Sequence, residues 1–261
     1  DLLIDGGSLH SDLSFKDFNN YSADIFLKNI SLDSIDKLMF LNNRYGGILN
    51  GNINLSQNQS THFMTANLFI DNSRFDQLNY SNTSLKASIR DSKIIISQFI
   101  GQNDSSSFDI SGFIELDNQL KFSNYNDIDL RGSISNLDIS NLNRYIPWMI
   151  AVGGKLSSDI SISGRLDNIK FNMEPTIINP KFDKIYGSKI YGKVSYKNSR
   201  LYFSNLICQT TDGKYDVNGS LPINLNYFNN EEINSKPIYV DISAESKSME
   251  FLTPYFPFIK E

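Results

Sequence analysis

The sequence predicts an all-β protein built from an elongated, curved antiparallel sheet, and three observations carry this prediction. Apolar and polar residues alternate with a period of two through much of the 261-residue chain, as in strands with one buried face. Asn, Asp, Gly and Ser cluster between the alternating runs, where turns are expected. Hydrophobic residues make up 40% and charged residues 20% of the chain, a composition that favours a folded domain over disorder or a coiled coil.

Residues 108–116 show the strand pattern most clearly. Phe108, Ile110, Ile114 and Leu116 fall on one face of the predicted strand, and mostly polar residues fall on the other. Three further runs share a face in the same way: Leu156, Ser158, Ile160, Ile162, Gly164 and Leu166; Tyr215, Val217, Gly219, Leu221 and Ile223; and Ile238, Val240, Ile242 and Ala244. Because turn residues separate such runs, we expect an antiparallel meander.

One segment breaks the alternation after Ser31. Ile35, Leu38 and Met39 have helical spacing, and Ser and Asp residues before them are suited to cap a helix N-terminus. We therefore predict a short amphipathic helix there, and it recurs once per repeat.

The repeat is marked by Gly46-Gly47, which recurs as Gly153-Gly154. This spacing gives a repeat length of about 107 residues, which we call the repeat offset. The helix pattern at Ile35, Leu38 and Met39 maps at the same offset onto Leu142, Tyr145 and Ile146. Other residues conform to this offset as the pairs Asn29 and Asn136, Phe75 and Phe182, Ser97 and Ser204, Ile100 and Ile207, Asp109 and Asp216, and Gly112 and Gly219. A third copy is predicted to begin near Leu252, which matches Leu142 at a slightly longer spacing.

We interpret residues 1–261 as a single elongated repeat domain and as a segment of a longer protein. The predicted copies are 1–28 (partial), 29–135, 136–245 and 246–261 (partial). Each complete copy holds a short helix, the Gly-Gly element and then strands, and no Pro/Gly/Ser-rich linker separates the copies. Because one such unit cannot bury its apolar face alone, neighbouring units are expected to stack or to continue one sheet.

Charge and motif content argue against several classes of function. The formal net charge is −5, and Lys and Arg are scattered singly along the sequence and are not expected to form a stripe on one face, so no nucleic-acid partner is expected. His10 and His62 are the only histidines and lie far apart without a nucleophile or ligand signature. No phosphate-binding glycine loop, dinucleotide motif or paired-histidine zinc motif occurs. We therefore predict no catalytic residue, no metal ligand, no cofactor and no enzymatic activity; Cys208, the single cysteine, is expected to be a small buried hydrophobe.

The predicted strands share one apolar face, and the alternation leaves open how that face is used. A long one-sided sheet is expected to bend around it, which gives either a closed, sandwich-like core or an open trough that holds an apolar ligand. The candidate lining residues of this face are Leu49, Ile53, Leu55, Phe108, Ile110, Ile114, Leu116, Leu156, Ile160, Ile162, Leu166, Ile190, Val194, Tyr215, Val217, Leu221 and Ile223.

Three consecutive motifs resemble a known family. Leu-Asp-Ile-Ser-Asn-Leu-x-x-Tyr-Ile-Pro runs from Leu137 to Pro147, and Gly-Gly-x-Leu-x-x-x-Ile-x-Ile-x-Gly follows from Gly153 to Gly164. Ile-x-Gly-x-Val-x-Tyr-x-x-x-x-Leu-x-Phe-x-Asn-Leu then runs from Ile190 to Leu206. In this order the motifs resemble the TamB branch of the AsmA-like proteins, which belong to the repeating β-groove, bridge-like lipid-transfer superfamily. Through the repeats, the similarity extends over nearly the whole chain.

The resemblance implies a taco-like β-groove in the periplasm of a Gram-negative bacterium. It implies that the parent protein is anchored in the inner membrane, has an outer-membrane β-barrel partner and carries phospholipid acyl chains between the two membranes without enzymatic activity. Two alternatives remain at this point. One is a scaffold for outer-membrane or autotransporter protein biogenesis that acts through exposed sheet edges, and the other is a structural adhesin or fibre stalk with a dry core.

Overall fold

Antiparallel strands account for most of the fold. The computed structural model describes residues 2–4, 6–17, 20–38, 44–58, 61–117, 120–142, 152–183, 185–211, 213–223 and 237–246. These residues form 17 strands, one α-helix and one 3₁₀ helix, which confirms the predicted all-β, antiparallel class. Neither helix in this part of the chain is long and apolar enough to cross a membrane. The chain divides into two units, Asp1–Gly132 and Ser133–Glu261.

The first unit is a meander in which each strand from β1 to β8 pairs antiparallel with the next. Its elements are β1 (Leu2–Ile4), β2 (Gly7–Asp17), β3 (Asn20–Ser31), α1 (Leu32–Leu38), β4 (Tyr45–Asn58), β5 (Thr61–Phe75), β6 (Leu78–Arg90), β7 (Lys93–Gln102), β8 (Ser107–Glu115) and the first half of β9 (Asp127–Asp138).

The second unit contains the end of β9 and all later elements. These are a 3₁₀ helix (Ile139–Leu142), β10 (Val152–Arg165), β11 (Asn168–Met173), β12 (Thr176–Phe182), β13 (Ile185–Tyr186), β14 (Lys189–Lys197), β15 (Arg200–Gln209), β16 (Gly213–Pro222) and β17 (Tyr239–Ser246). Strands β11 and β12 both lie between β10 and β14. From β14 onwards each strand pairs antiparallel with the next.

The strand boundaries of the two units correspond at the repeat offset. β3, β4 and β7 shifted by this offset give the bounds of β9, β10 and β15. β5 shifted in the same way covers β11 and β12 together, and the break between these two strands contains Pro175. Because proline has no N–H to donate to the ladder, it interrupts a strand that is continuous in the first unit.

Unusual backbone conformations recur at the same offset. Among the described residues, twelve non-glycine residues have positive φ, and ten of them form five pairs separated by the repeat offset. The pairs are Asn29 and Asn136, Asn72 and Asn179, Asp76 and Asp183, Asp91 and Asn198, and Ser92 and Ser199. Left-handed conformations are uncommon for residues other than Gly, Asn and Asp. Their recurrence therefore means that the two units follow the same backbone path through bulges and turns.

Hydrogen bonds at the open ends of two hairpins recur as well. The Leu116 N–H donates to the Ser92 carbonyl at 2.8 Å, and the Ile223 N–H donates to the Ser199 carbonyl at 3.1 Å. These two bonds join equivalent positions of the two units, so the β7–β8 and β15–β16 hairpins end in the same way.

Helix α1 lies where the sequence predicts a short helix. The Ser31 hydroxyl accepts a hydrogen bond from the Ser34 N–H at 3.3 Å and so caps the helix N-terminus. At the equivalent position of the second unit, the Asp138 carboxylate accepts the Ser140 N–H at 3.0 Å, and a 3₁₀ helix follows. The predicted helical residues Met39, Tyr145 and Ile146, and the third copy near Leu252, lie outside the described residues.

Two aspartates hold α1 against the start of β4. The Asp36 carboxylate is only 2% exposed and accepts the Tyr45 N–H at 2.7 Å. Asp33 accepts the Gly47 N–H at 3.2 Å and pairs with Arg74 at 2.7 Å. A Cβ at Gly46 would lie 2.9 Å from Asp33 Oδ1, so the first glycine of the Gly-Gly element permits this close approach.

Candidate functional site

The apolar face of the first unit is built from three rows of residues that cross five strands. Residues that pair directly across antiparallel strands project from the same face of a sheet. The Leu49 row contains Leu49, Ile70, Thr83, Gly101 and Phe108. The Ile53 row contains Ile53, Ala66, Ala87, Ile96 and Gly112. The Leu55 row contains Leu55, Met64, Ile89, Ile94 and Ile114.

The second unit has three equivalent rows. The Leu156 row contains Leu156, Ile177, Ile190, Cys208 and Tyr215. The Ile160 row contains Ile160, Met173, Val194, Phe203 and Gly219. The Ile162 row contains Ile162, Phe171, Tyr196, Leu201 and Leu221. Every member follows its counterpart in the first unit by the repeat offset, so the two units present the same apolar grid.

Most of this grid is only half-buried. In the first unit, Ala66, Thr83 and Gly101 are buried and the other twelve row members are half-buried. In the second unit, Leu156, Tyr196 and Tyr215 are buried, and again the other twelve are half-buried. A side chain in a close-packed core is normally buried completely. The rows therefore keep part of their apolar surface accessible in each unit.

The opposite face of the first unit is rich in amides and other polar groups. Asn50, Asn52 and Asn54 alternate along β4 with the row residues. The Asn52 amide donates to Asn54 Oδ1 at 2.9 Å, and the Asn54 amide donates to the Asp24 carboxylate. The amides along β4 therefore bond to one another and to Asp24, and the strand is polar on the side opposite the rows.

A cavity of about 510 Å³ lies beside β10, β11 and β14. Seven of its ten lining residues project from the face opposite the rows: Asp159, Ser161, Asn172, Glu174, Lys193, Ser195 and Ser204. The other three, Ile160, Met173 and Val194, are members of the Ile160 row, so the lining of the cavity is mostly polar.

The structure places the candidate lining residues in three groups. Twelve are row members: Leu49, Ile53, Leu55, Phe108, Ile114, Leu156, Ile160, Ile162, Ile190, Val194, Tyr215 and Leu221. Ile110 and Val217 lie on the same face between rows, where they pair with Phe99 and with Leu206. Leu116 and Ile223 directly follow β8 and β16.

Leu166 is the exception among these residues. The sequence pattern places it on the strand face, but β10 ends at Arg165 and Leu166 lies in the turn to β11. Leu166 extends the apolar alternation by chance, because a turn residue can be apolar without pairing to a neighbouring strand.

Sequence reasoning missed the part of the face contributed by the intervening strands. β5 carries Met64, Ala66, Leu68 and Ile70 at alternate positions. This pattern predicts that the four residues share the apolar face. β7 is harder to interpret because a register shift lies between Ile96 and Phe99, which breaks the period of two.

The apolar face carries one titratable thiol, and its environment disfavours the reactive thiolate. Cys208 is a half-buried member of the Leu156 row, and burial raises the pKa of its thiol, which keeps it neutral and unreactive near pH 7. Among the described residues, no group of three or more His, Cys, Asp or Glu side chains is placed to hold a metal ion.

In comparisons with known proteins, no family model matches the chain, and no curated protein or solved structure matches it.

Proposed function

We propose that this chain is a non-enzymatic segment of a bridge-like lipid-transport protein whose apolar face carries phospholipid acyl chains. The observation that supports this most strongly is the grid of half-buried apolar rows, repeated at the same register in both units. An ordinary core would hide such rows, whereas a passive carrier needs them accessible along its length.

The energetics suit passive carriage. Each buried methylene contributes about 0.8 kcal/mol, so an acyl chain of about 16 carbons gains on the order of 12 kcal/mol when it leaves water. Because equivalent rows of the two units have similar composition, binding to one unit or the other differs little in free energy. A chain can then move between equivalent positions while its headgroup stays in water.

The resemblance to the TamB branch extends the proposal to the whole protein. We propose that the segment forms part of a taco-like groove in the periplasm, within a parent anchored in the inner membrane that reaches an outer-membrane β-barrel partner. The motifs at 137–147, 153–164 and 190–206 support this extension.

Lipid content of the purified chain tests the proposal. Native mass spectrometry of protein expressed in a Gram-negative host, followed by solvent extraction, is expected to show co-purified phospholipid that is released when the protein unfolds. Protein free of lipid after mild purification, which also fails to take up phospholipid from vesicles, would contradict it.

A further inference from the structure

A basic stripe runs along β14 on the face opposite the apolar rows. Ile190, Val194 and Tyr196 pair with row residues on neighbouring strands, so the alternate positions project the other way. These positions are Lys189, Tyr191, Lys193, Ser195 and Lys197, which we call the β14 stripe. The sequence-based expectation that Lys and Arg are scattered singly is wrong for this strand, because strand alternation brings its lysines to one face.

Two cations in or beside the stripe, Lys197 and Arg200, lack acids that their counterparts in the first unit contact. In the first unit Arg90 pairs with Asp91 at 3.4 Å and Lys93 pairs with Glu115 at 3.0 Å. At the repeat offset, these two acids are replaced by Asn198 and Pro222. Lys197 and Arg200 occupy the positions of the two cations, so both partner carboxylates have been lost while both positive charges are kept.

Three cations of the second unit, Lys155, Arg165 and Lys193, form ion pairs. Among the described residues, neither Lys197 nor Arg200 does. Lys193 pairs with Glu174 at 3.4 Å, but the two side chains are 68% and 70% exposed, so the pair is weak. Residues 189–200 hold four cations and no acid, in a chain whose net charge is −5.

Tyrosine rings accompany these cations. Lys189 Nζ lies 5.0 Å from the centre of the Tyr191 ring, and Lys197 Nζ lies 5.3 Å from the Tyr202 ring. Arg200 lies 5.5 Å from the Tyr239 ring. Lysine and arginine side chains beside tyrosine rings are common at the headgroup level of membranes. There the cations attract anionic lipid and the rings favour the membrane–water interface.

We propose that the β14 stripe, together with Arg200, docks this unit on an anionic lipid bilayer surface. The lysines of the stripe are spaced by roughly 13 Å, since they recur at every fourth strand residue, so one strand presents three cations in a row to a charged surface. This docking is electrostatic and uses the polar face, so it does not depend on whether the apolar rows carry lipid.

Vesicle sedimentation tests this proposal with a matched control inside the chain. The full chain is expected to bind vesicles of phosphatidylglycerol and phosphatidylcholine, to bind pure phosphatidylcholine vesicles much more weakly, and to be released by salt. Lys193→Gln with Lys197→Gln is expected to weaken binding about 25-fold, at about fivefold per cation removed. The equivalent pair in the first unit, Lys86→Gln with Arg90→Gln, removes the same charge from a unit in which 16 acids face 10 cations. It is expected to change binding less than twofold.

A gain of charge gives an independent variant that is expected to keep the fold. Asn198→Asp restores the acid that Asp91 provides in the first unit, at a position with the same left-handed backbone (φ 52° and 51°). It is expected to weaken binding to anionic vesicles about fivefold. Three results would each overturn the proposal. They are equal binding to both vesicle types, equal effects of the Lys193/Lys197 and Lys86/Arg90 double substitutions, and binding to polyglutamate in place of vesicles.

Discussion

Asn29 and Asn136 occupy the same place in the two units. Their φ angles are 54° and 53°, and they are separated by the repeat offset. The Asn29 N–H donates to Asn50 Oδ1 at 2.8 Å, and the Asn136 N–H donates to Ser157 Oγ at 3.0 Å. The acceptors are also equivalent residues, so the bond is kept although the accepting side chain has changed from an amide to a hydroxyl.

Asn136→Ala is expected to destabilise the second unit by about 1 kcal/mol, because a Cβ-bearing residue other than Asn or Asp is strained at this φ. Asn136→Gly relieves that strain and is expected to cost less. Urea unfolding measures both variants. Asn29→Ala serves as the comparison in the first unit, and a harmless Asn29→Ala beside a costly Asn136→Ala would contradict the equivalence of the two sites.

Asp36→Ala is expected to destabilise the first unit by about 1–3 kcal/mol, because it leaves the Tyr45 N–H without its buried acceptor. Chemical denaturation followed by tyrosine fluorescence measures the loss. Asp104→Ala removes the same charge from an exposed turn and is the control. If both variants unfold at the same denaturant concentration, α1 is not fixed to β4 by this aspartate.

Asp138 is expected to make stability depend on pH. The hydrogen bond from Ser140, with a further contribution from Lys155, holds the pKa of this carboxyl below its ordinary value despite opposing burial. Since the folded pKa is the lower one, its contribution is complete above the unfolded pKa of about 3.9 and is lost as pH falls through the folded value.

Unfolding of Asp138→Asn between pH 6 and pH 2.5 measures this contribution. The variant is expected to be less stable than the parent chain at pH 6 and to converge with it as pH falls below about 4. A stability difference that stays constant over this range would show that the carboxylate charge is not involved.

Ile162→Asp is expected to reduce bound phospholipid more than it reduces folding stability. It places a charge in the middle of the apolar face, where an acyl chain would have to pass it, and the half-buried side chain can still reach solvent. Co-purified lipid and the midpoint of thermal unfolding are measured together. Ser163→Asp adds the same charge on the opposite face and is expected to leave lipid content unchanged; parallel loss of lipid and stability in Ile162→Asp would indicate an ordinary core.

The sequence was sufficient to predict strands and the offset of the repeat, because alternation and Gly-Gly spacing are local patterns. It did not predict where a strand ends, as at Leu166, because the end of a strand is set by where hydrogen bonding to the neighbouring strand stops. Two differences between the units can be interpreted only after the units are aligned by their cross-strand register. One is the split of β11 from β12 at Pro175, and the other is the loss of the Asp91 and Glu115 carboxylates in the second unit. This register depends on which strands pair, and a single stretch of alternating sequence does not show its pairing partner.

Site-specific photocrosslinking in living Gram-negative cells tests the central claim most directly. A photoreactive phenylalanine analogue would replace Ile53 or Ile160, which are equivalent members of the apolar rows, and Asn52, which lies on the opposite face of the first unit. Lipid carriage predicts phospholipid adducts at both row positions and none at Asn52. Row positions that yield only protein adducts, or no adduct, would contradict it.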